Sequence, residues 1–209
     1  MPPETQTRRR RARSGPTFAE RSEATTQELI RTARALFAER GFAETSIEDV
    51  VRAAGVTRGA LYHHFTSKTD VFRAVFEAEE QELAARLSAE AAKRRDPWEQ
   101  LEAGCLEFID VCLDKGHRQI VLIDGPAVLG WKAMREIEYR YTLALTRAGI
   151  VGAMQAGQIR RRPPDPLAHL VFGALCEAAM MLARAEDRDA ARRAVRREGK
   201  DLLAAIASG

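Results

Sequence analysis

From Thr25 almost to its end, the chain repeats apolar residues at intervals of three and four and offers no convincing run of strict alternation. That spacing gathers side chains on one face of an α-helix, whereas a half-buried strand needs a period of two. The pattern leads to an all-α fold. TTQELIRTARALFAERG places Leu29, Ile30, Ala33, Leu36 and Phe37 on one stripe, with Thr25 and Glu28 as a capping box and Gly41 after the end. TSIEDVVRAAG predicts a short second helix with Thr45 and Glu48 as its capping box; Ile47, Val50 and Val51 are its buried face and Gly55 its end. VTRGALYHHF predicts a third, with Thr57 as N-cap and Val56, Leu61 and Phe65 apolar. A longer fourth helix follows, capped by Ser67 with Asp70.

The second part begins near Pro97, a good first helical residue. Leu101, Cys105, Phe108, Ile109 and Cys112 then share one face. RQIVLIDGPAVLG is the most strand-like stretch, yet too isolated to support a sheet; its Gly125-Pro126 break marks a place where a cavity could open. WKAMREIEYRYTLALTRAGIVGAMQAGQI predicts one long helix. LAHLVFGALCEAAMMLARA is apolar nearly all round, which calls for burial on two sides, one by its own domain and one by another copy of the chain. DRDAARRAVRREGKDLLAAIAS predicts the last helix. The organisation expected is a flexible basic arm (1–20), a three-helix head (21–70) and a helical body (71–209).

Charge is unevenly placed. Residues 1–75 carry twelve Arg and one Lys against nine acidic residues, while the remaining residues are close to neutral. A basic first third points to an anionic partner for that part alone. The three cysteines, Cys105, Cys112 and Cys176, are odd in number and form no C-x-x-C, which reads as reduced thiols. MPPETQTRRRRARSG has no apolar stretch after its basic residues, so no secretory signal is expected. No run approaches about 18 apolar residues, so no membrane partner is expected either. These features place the chain in the cytoplasm.

Two short helices joined by AAGVT have helix-turn-helix form: Ala54 permits close contact and Gly55 the turn angle. The second would be the recognition helix, opening with Thr57, Arg58 and Gly59. Its amide end attracts phosphate, and an arginine can reach a guanine edge. Tyr62, His63 and Lys68 follow, in a row that suits a phosphate backbone. The adjacent histidines point about 100° apart on a helix and so do not chelate together, and no third ligand of suitable spacing is near. No metal, cofactor or catalytic residue is expected.

TSIEDVVRAAGVTRGALYHHFTSKTDVF resembles the DNA-binding head of TetR-type transcriptional regulators over about Thr25 to Phe76. GALYHHF-x-SK is the specific part; Val51, where the family often has a smaller Ala, departs from it. The resemblance implies a homodimer that binds a double-stranded DNA operator and releases it when a small-molecule effector enters the body. It implies that Thr45 and Ser46 touch phosphate, that Thr57, Arg58, Gly59, Tyr62, His63 and Lys68 line the DNA, and that His64 supports the head.

In the body, Cys105, Phe108, Cys112, Trp131, Met134, Tyr141, Thr142 and Phe172 are candidates to line an effector cavity, since apolar pockets with a few hydroxyls suit small molecules. Ordinary core is the alternative for each. His117 and His169 read as surface or cap residues, and the RRRRAR arm as either a minor-groove contact or a solvated tail. Three functions follow in order: an effector-responsive repressor, an architectural DNA binder without effector, and a helical enzyme, for which no paired carboxylates or nucleophile constellation is found.

Overall fold

A computed structural model describes residues 17–208, and no strand occurs among them. Residues 1–16 of the expected arm lie outside the described residues. The helices run α1 (Phe18–Arg40), α2 (Ile47–Ala54), α3 (Arg58–His64), α4 (Lys68–Ala91), α5 (Pro97–Val111) and α6 (Lys115–His117). A π-helical segment, Arg118–Asp124, leads into α7 (Gly125–Arg140), followed by α8 (Thr142–Gln155), α9 (Pro164–Arg184) and α10 (Arg188–Ser208).

Two caps sit elsewhere than the sequence suggested. α1 starts at Thr17, whose hydroxyl accepts from the Glu20 amide at 3.2 Å while the Glu20 carboxylate accepts from the Thr17 amide at 2.6 Å. Thr25 is then inside the helix, its hydroxyl donating to the Arg21 carbonyl at 2.9 Å. α2 is capped by the reciprocal pair Ser46 and Asp49, one residue later than expected, because the Thr45 hydroxyl is turned inward to the Gly41 carbonyl at 2.9 Å. Thr57, Ser67 and Pro97 stand where expected. Gly55 takes the left-handed conformation (φ 67°, ψ 26°) that lets α2 turn into α3.

The head closes over Leu29, Ala33, Phe37, Val50, Leu61 and Phe72, all fully buried. Val51 stays half-buried against this core. Phe37, Phe42 and Phe72 form an aromatic trio with centroids 5.2–5.8 Å apart. The Lys68 ammonium lies 4.1 Å from the Phe42 ring centroid and donates to the carbonyls of Phe42 (2.7 Å) and Thr45 (2.8 Å). It thereby ties the α1–α2 turn to the first residue of α4.

The long α4 belongs to both parts. Its Glu79 carboxylate accepts from the Arg34 guanidinium of α1 and lies 3.0 Å from His117 Nδ1. The Phe42 amide donates to Asp124 at 2.8 Å. His117 is therefore a buried joint residue, 3% exposed, and not a surface one. The Gly125-Pro126 break serves the same joint. A Cβ on Gly125 would meet the Phe76 ring at 2.7 Å, so the glycine allows α7 to seat against α4 and does not open a cavity.

The long helix expected from Trp131 is split. Tyr141 leaves helical geometry (φ −122°, ψ −89°), donates its hydroxyl to Glu77 at 2.8 Å and accepts from Gln81 at 2.8 Å, both on α4. Gly130 (φ 73°, ψ 159°) bends α7 before that. α9 is apolar and long enough to cross a membrane by composition, contrary to the sequence estimate. It nonetheless buries Leu167, Ala168, Val171, Phe172, Leu175, Ala179 and Leu182 in the core. Its opposite side leaves Leu170 73% and Met181 48% exposed.

Candidate nucleic-acid interface and effector pocket

α3 is held by Leu61, fully buried, and by the Thr57 hydroxyl, which accepts from the Ala60 amide at 3.1 Å. This anchoring leaves Thr57, Arg58, Gly59, Tyr62 and His63 exposed. His64 turns inward instead, its Nδ1 3.1 Å from the Thr26 hydroxyl of α1. Gly59 is uncrowded, so a bulky surface can approach the helix start closely. Arg58 pairs with Glu48 of α2 at 2.6 Å and lies 5.4 Å from the Tyr62 ring centroid. The guanidinium is thus already extended along the outer face, with a carboxylate that any incoming phosphate or base must displace.

Three expected DNA-facing residues have other employment. Thr45 is 1% exposed with its hydroxyl proton committed to Gly41, so it offers no surface to a phosphate. The Ser46 hydroxyl donates to the Asp49 carboxylate at 2.6 Å, and Asp49 sits beside it with its pKa lowered by that bond. Lys68 spends two of its three N–H donors on carbonyls and keeps one for an anion. Its first role is to hold the turn.

A second concave feature lies in the body, between α4, α5, α8 and α9. It is a cavity of about 400 Å³ lined mainly by aliphatic, glycine and phenylalanine residues, with Ser88, Gln100, Cys105, Thr142 and Thr146 among them and no charged residue on its lining. Of the eight residues expected here, Cys105, Phe108, Thr142 and Phe172 line it. Cys112, Trp131, Met134 and Tyr141 do not. Cys112, just past the end of α5, is buried away from the cavity lining, Met134 is core, and Tyr141 is engaged with α4. Trp131, just after the Gly130 bend, is 67% exposed and stacks on Arg135 at 4.2 Å. The sequence reading missed Ser88, Gln100, Leu145, Thr146, Gly149 and Leu175. The small residues of α8 were the available signal: a Cβ on Gly149 would meet Leu101 at 2.9 Å, so α8 and α5 approach closely beside the cavity. Burial pushes the Cys105 thiol up to about 12, which keeps it protonated and unreactive.

Behind the cavity lie carboxyls that sequence did not single out. Glu80, 2% exposed, has its Oε2 2.7 Å from the Thr142 hydroxyl oxygen. Burial pushes Glu80 up to about 8 and Glu138 up to about 7, the Arg135 guanidinium at 3.0 Å from Glu138 opposing the shift. Glu79 goes the other way, held below the ordinary value by His117 and Arg34 against its own burial. One turn of α4 thus carries an ionised carboxylate facing α1 and α6 and a carboxyl facing Thr142 of α8.

Comparison with known proteins agrees over both parts. Residues 29–75 match the profile of bacterial regulatory proteins of the TetR family, and residues 98–206 that of a tetracyclin repressor-like C-terminal domain. A solved TetR-family transcriptional regulator from Pectobacterium atrosepticum is 33% identical, covering 93% of this chain and 99% of that one, with a TM-score of 0.81. The transposon Tn10 TetC protein of Escherichia coli is 27% identical over 154 residues, 74% of this chain and 78% of that protein. RolR in complex with resorcinol shares the fold at 23% identity and a TM-score of 0.68, covering 91% of this chain and 96% of RolR. Other curated regulators match over about half of their length.

Proposed function

Because this chain belongs to the TetR family of DNA-binding transcriptional regulators, we propose that it is a repressor which releases a palindromic operator when a small uncharged molecule fills the body cavity. The observation that carries this reading is α4. The same helix lines the cavity through Leu87 and Ser88 and is clamped to the head through Glu79 and Lys68. A shift that the effector imposes at its body end would move the recognition helices. Two such helices must sit in successive major grooves about one helical turn apart, so a change of a few Å in their separation would abolish simultaneous contact.

In the bound state Thr57, Arg58, Gly59, Tyr62 and His63 would meet the DNA, with the spare Lys68 proton on a phosphate. Thr45 is assigned to the core instead. The matched relatives are regulators, and no catalytic step is proposed for this chain. The chain would act in the cytoplasm.

The test uses an operator recovered from random DNA by selection and a library of neutral aromatic and aliphatic compounds. Compounds that weaken the complex should do so by about 5–150-fold, and the operator should weaken their binding by the same factor. Gly152→Leu, at a lining position where an added Cβ meets nothing nearer than Pro97 at 3.9 Å, is expected to fill the cavity, leave operator binding in place and remove the response. If no compound changes operator affinity, the effector reading is wrong. If the selection also returns no preferred sequence, an architectural binder becomes the better account.

The outer side of α9 supports a homodimer. Leu170, Gly173, Ala174 and Met181 are exposed at helical spacing, and Leu202 of α10 is 50% exposed. Burying such a stripe against its two-fold copy is favourable by about 25 cal/mol per Å² of apolar surface. Leu170→Glu with Met181→Glu is expected to give monomers in sedimentation at micromolar concentration. A wild-type chain that sediments as a monomer under those conditions would sink the dimer and the palindrome together.

A further inference from the structure

We propose that the mouth of the body cavity, at Gln100, accepts a hydrogen bond from a hydroxyl on an uncharged ligand whose apolar body lies inward against Phe108 and Phe172. The proposal rests on the effector reading of the cavity and adds the orientation of the ligand and the chemistry of its polar end.

Polarity in the cavity is graded from one end to the other. The inner wall is the Phe108–Phe172 ring pair, centroids 5.9 Å apart, with Cys105 and Leu175 buried beside it. Neither hydroxyl on this wall has a proton to offer a ligand. Thr142, fully buried, donates to Glu80 at 2.7 Å, and Thr146 donates to the Thr142 carbonyl at 3.1 Å. Nothing charged lines the cavity, so an ionised group carried inward would lose its hydration without gaining a partner. At the other end, Ser88 and Ala92 near the end of α4 are exposed, and Pro97 and Gln100 of α5 are half-buried. A ligand's polar atom therefore finds partners and solvent at this end.

The Gln100 amide is held in one orientation by its neighbour. Its Nε2 donates to the Arg94 carbonyl at 3.0 Å, and a carbonyl can only accept, so the nitrogen takes that side and Oε1 the other. Oε1 has no hydrogen bond among the described residues. A ligand hydroxyl supplies the donor that Oε1 lacks, whereas an ether of the same size cannot. Because Gln100 is only half-buried, the hydroxyl competes with solvent for it, and its gain is the net worth of one hydrogen bond, about fivefold in affinity. The same amide ties α5 to the turn that follows α4. The ligand's polar end thus bears on the residue that holds the body end of the helix leading to the head.

The experiment titrates the full-length protein by calorimetry with 1-octanol and with its isomer 1-methoxyheptane, which contain the same atoms and differ in the hydroxyl donor. The alcohol is expected to bind about fivefold more tightly than the ether. Gln100→Leu is expected to bring the two affinities together by weakening the alcohol and leaving the ether unchanged. Ser88→Ala, on the same rim, is expected to keep the wild-type preference. A wild-type protein that binds both isomers equally, a preference that survives in Gln100→Leu, or one that vanishes in Ser88→Ala overturns the Gln100 assignment while the cavity reading stands. Binding of neither isomer overturns the cavity reading itself, and this inference with it.

Discussion

Operator binding is expected to weaken by about 10³–10⁵-fold between 50 and 200 mM salt, the response of a protein that neutralises about 6–10 phosphates and releases their counterions. The reason is the charge distribution: the excess of basic residues lies in the first 75 residues, and the rest of the chain is near neutral. Within this term Arg58 has a separate part. It is 63% exposed in its side chain and paired with Glu48 in the free protein. Arg58→Ala should cost about 1–3 kcal/mol and relax the preference at one base pair if the guanidinium reads a guanine edge. Glu48→Gln should strengthen binding to all sequences, since DNA no longer has to displace a carboxylate. Fluorescence anisotropy of a labelled operator across a salt series reads all three. A shallow salt slope would refute electrostatic docking of the head. An Arg58→Ala variant with unchanged affinity and preference would remove the arginine from base reading.

The second large effect is expected within the molecule, at two neighbouring residues with opposite outcomes. Glu79→Ala should cost about 3–5 kcal/mol, because it leaves Arg34 and the buried His117 without their shared carboxylate. The folded-state value of Glu79 is lowered, so its contribution is present above the ordinary carboxylate range and is lost as pH falls through the folded value. Glu80→Gln should instead stabilise the protein, by on the order of 2–4 kcal/mol at pH 8 to 9. Glu80 is raised from 4.5 to about 8, so the native state holds a proton that the unfolded chain has released. That penalty is absent below pH 4.5, grows as pH rises, and levels off above about 8. Thermal unfolding of both variants from pH 5 to pH 9 tests the pair. Equal effects of the same sign, or a Glu80→Gln gain that does not grow with pH, would show that the two carboxyls are not in the different states assigned here.

The sequence by itself determined the parts of this protein that are local. Helical spacing, the caps at Thr57 and Ser67, and the left-handed turn at Gly55 each depend on a few neighbouring residues. The head was therefore legible down to the exposed row on α3. Even there the limits are physical. Thr45 and Ser46 are both capping residues, and only the packing of the α1–α2 turn decides which caps α2 and which is buried. In the body, helix periodicity placed Cys105 and Phe108 on one face but could not say what that face packs against. The direction of Trp131 turns on the bend at Gly130, and the separation of α7 from α8 turns on Tyr141 binding residues of α4 about sixty positions earlier. Glu79 and Glu80 are buried only because α1, α6 and α8 converge on that turn of α4. Only the tertiary structure decided this, since burial is a property of what packs against a residue, and a buried carboxyl's charge state follows from the partners that packing brings, Arg34 and His117 for Glu79 and no cation of its own for Glu80.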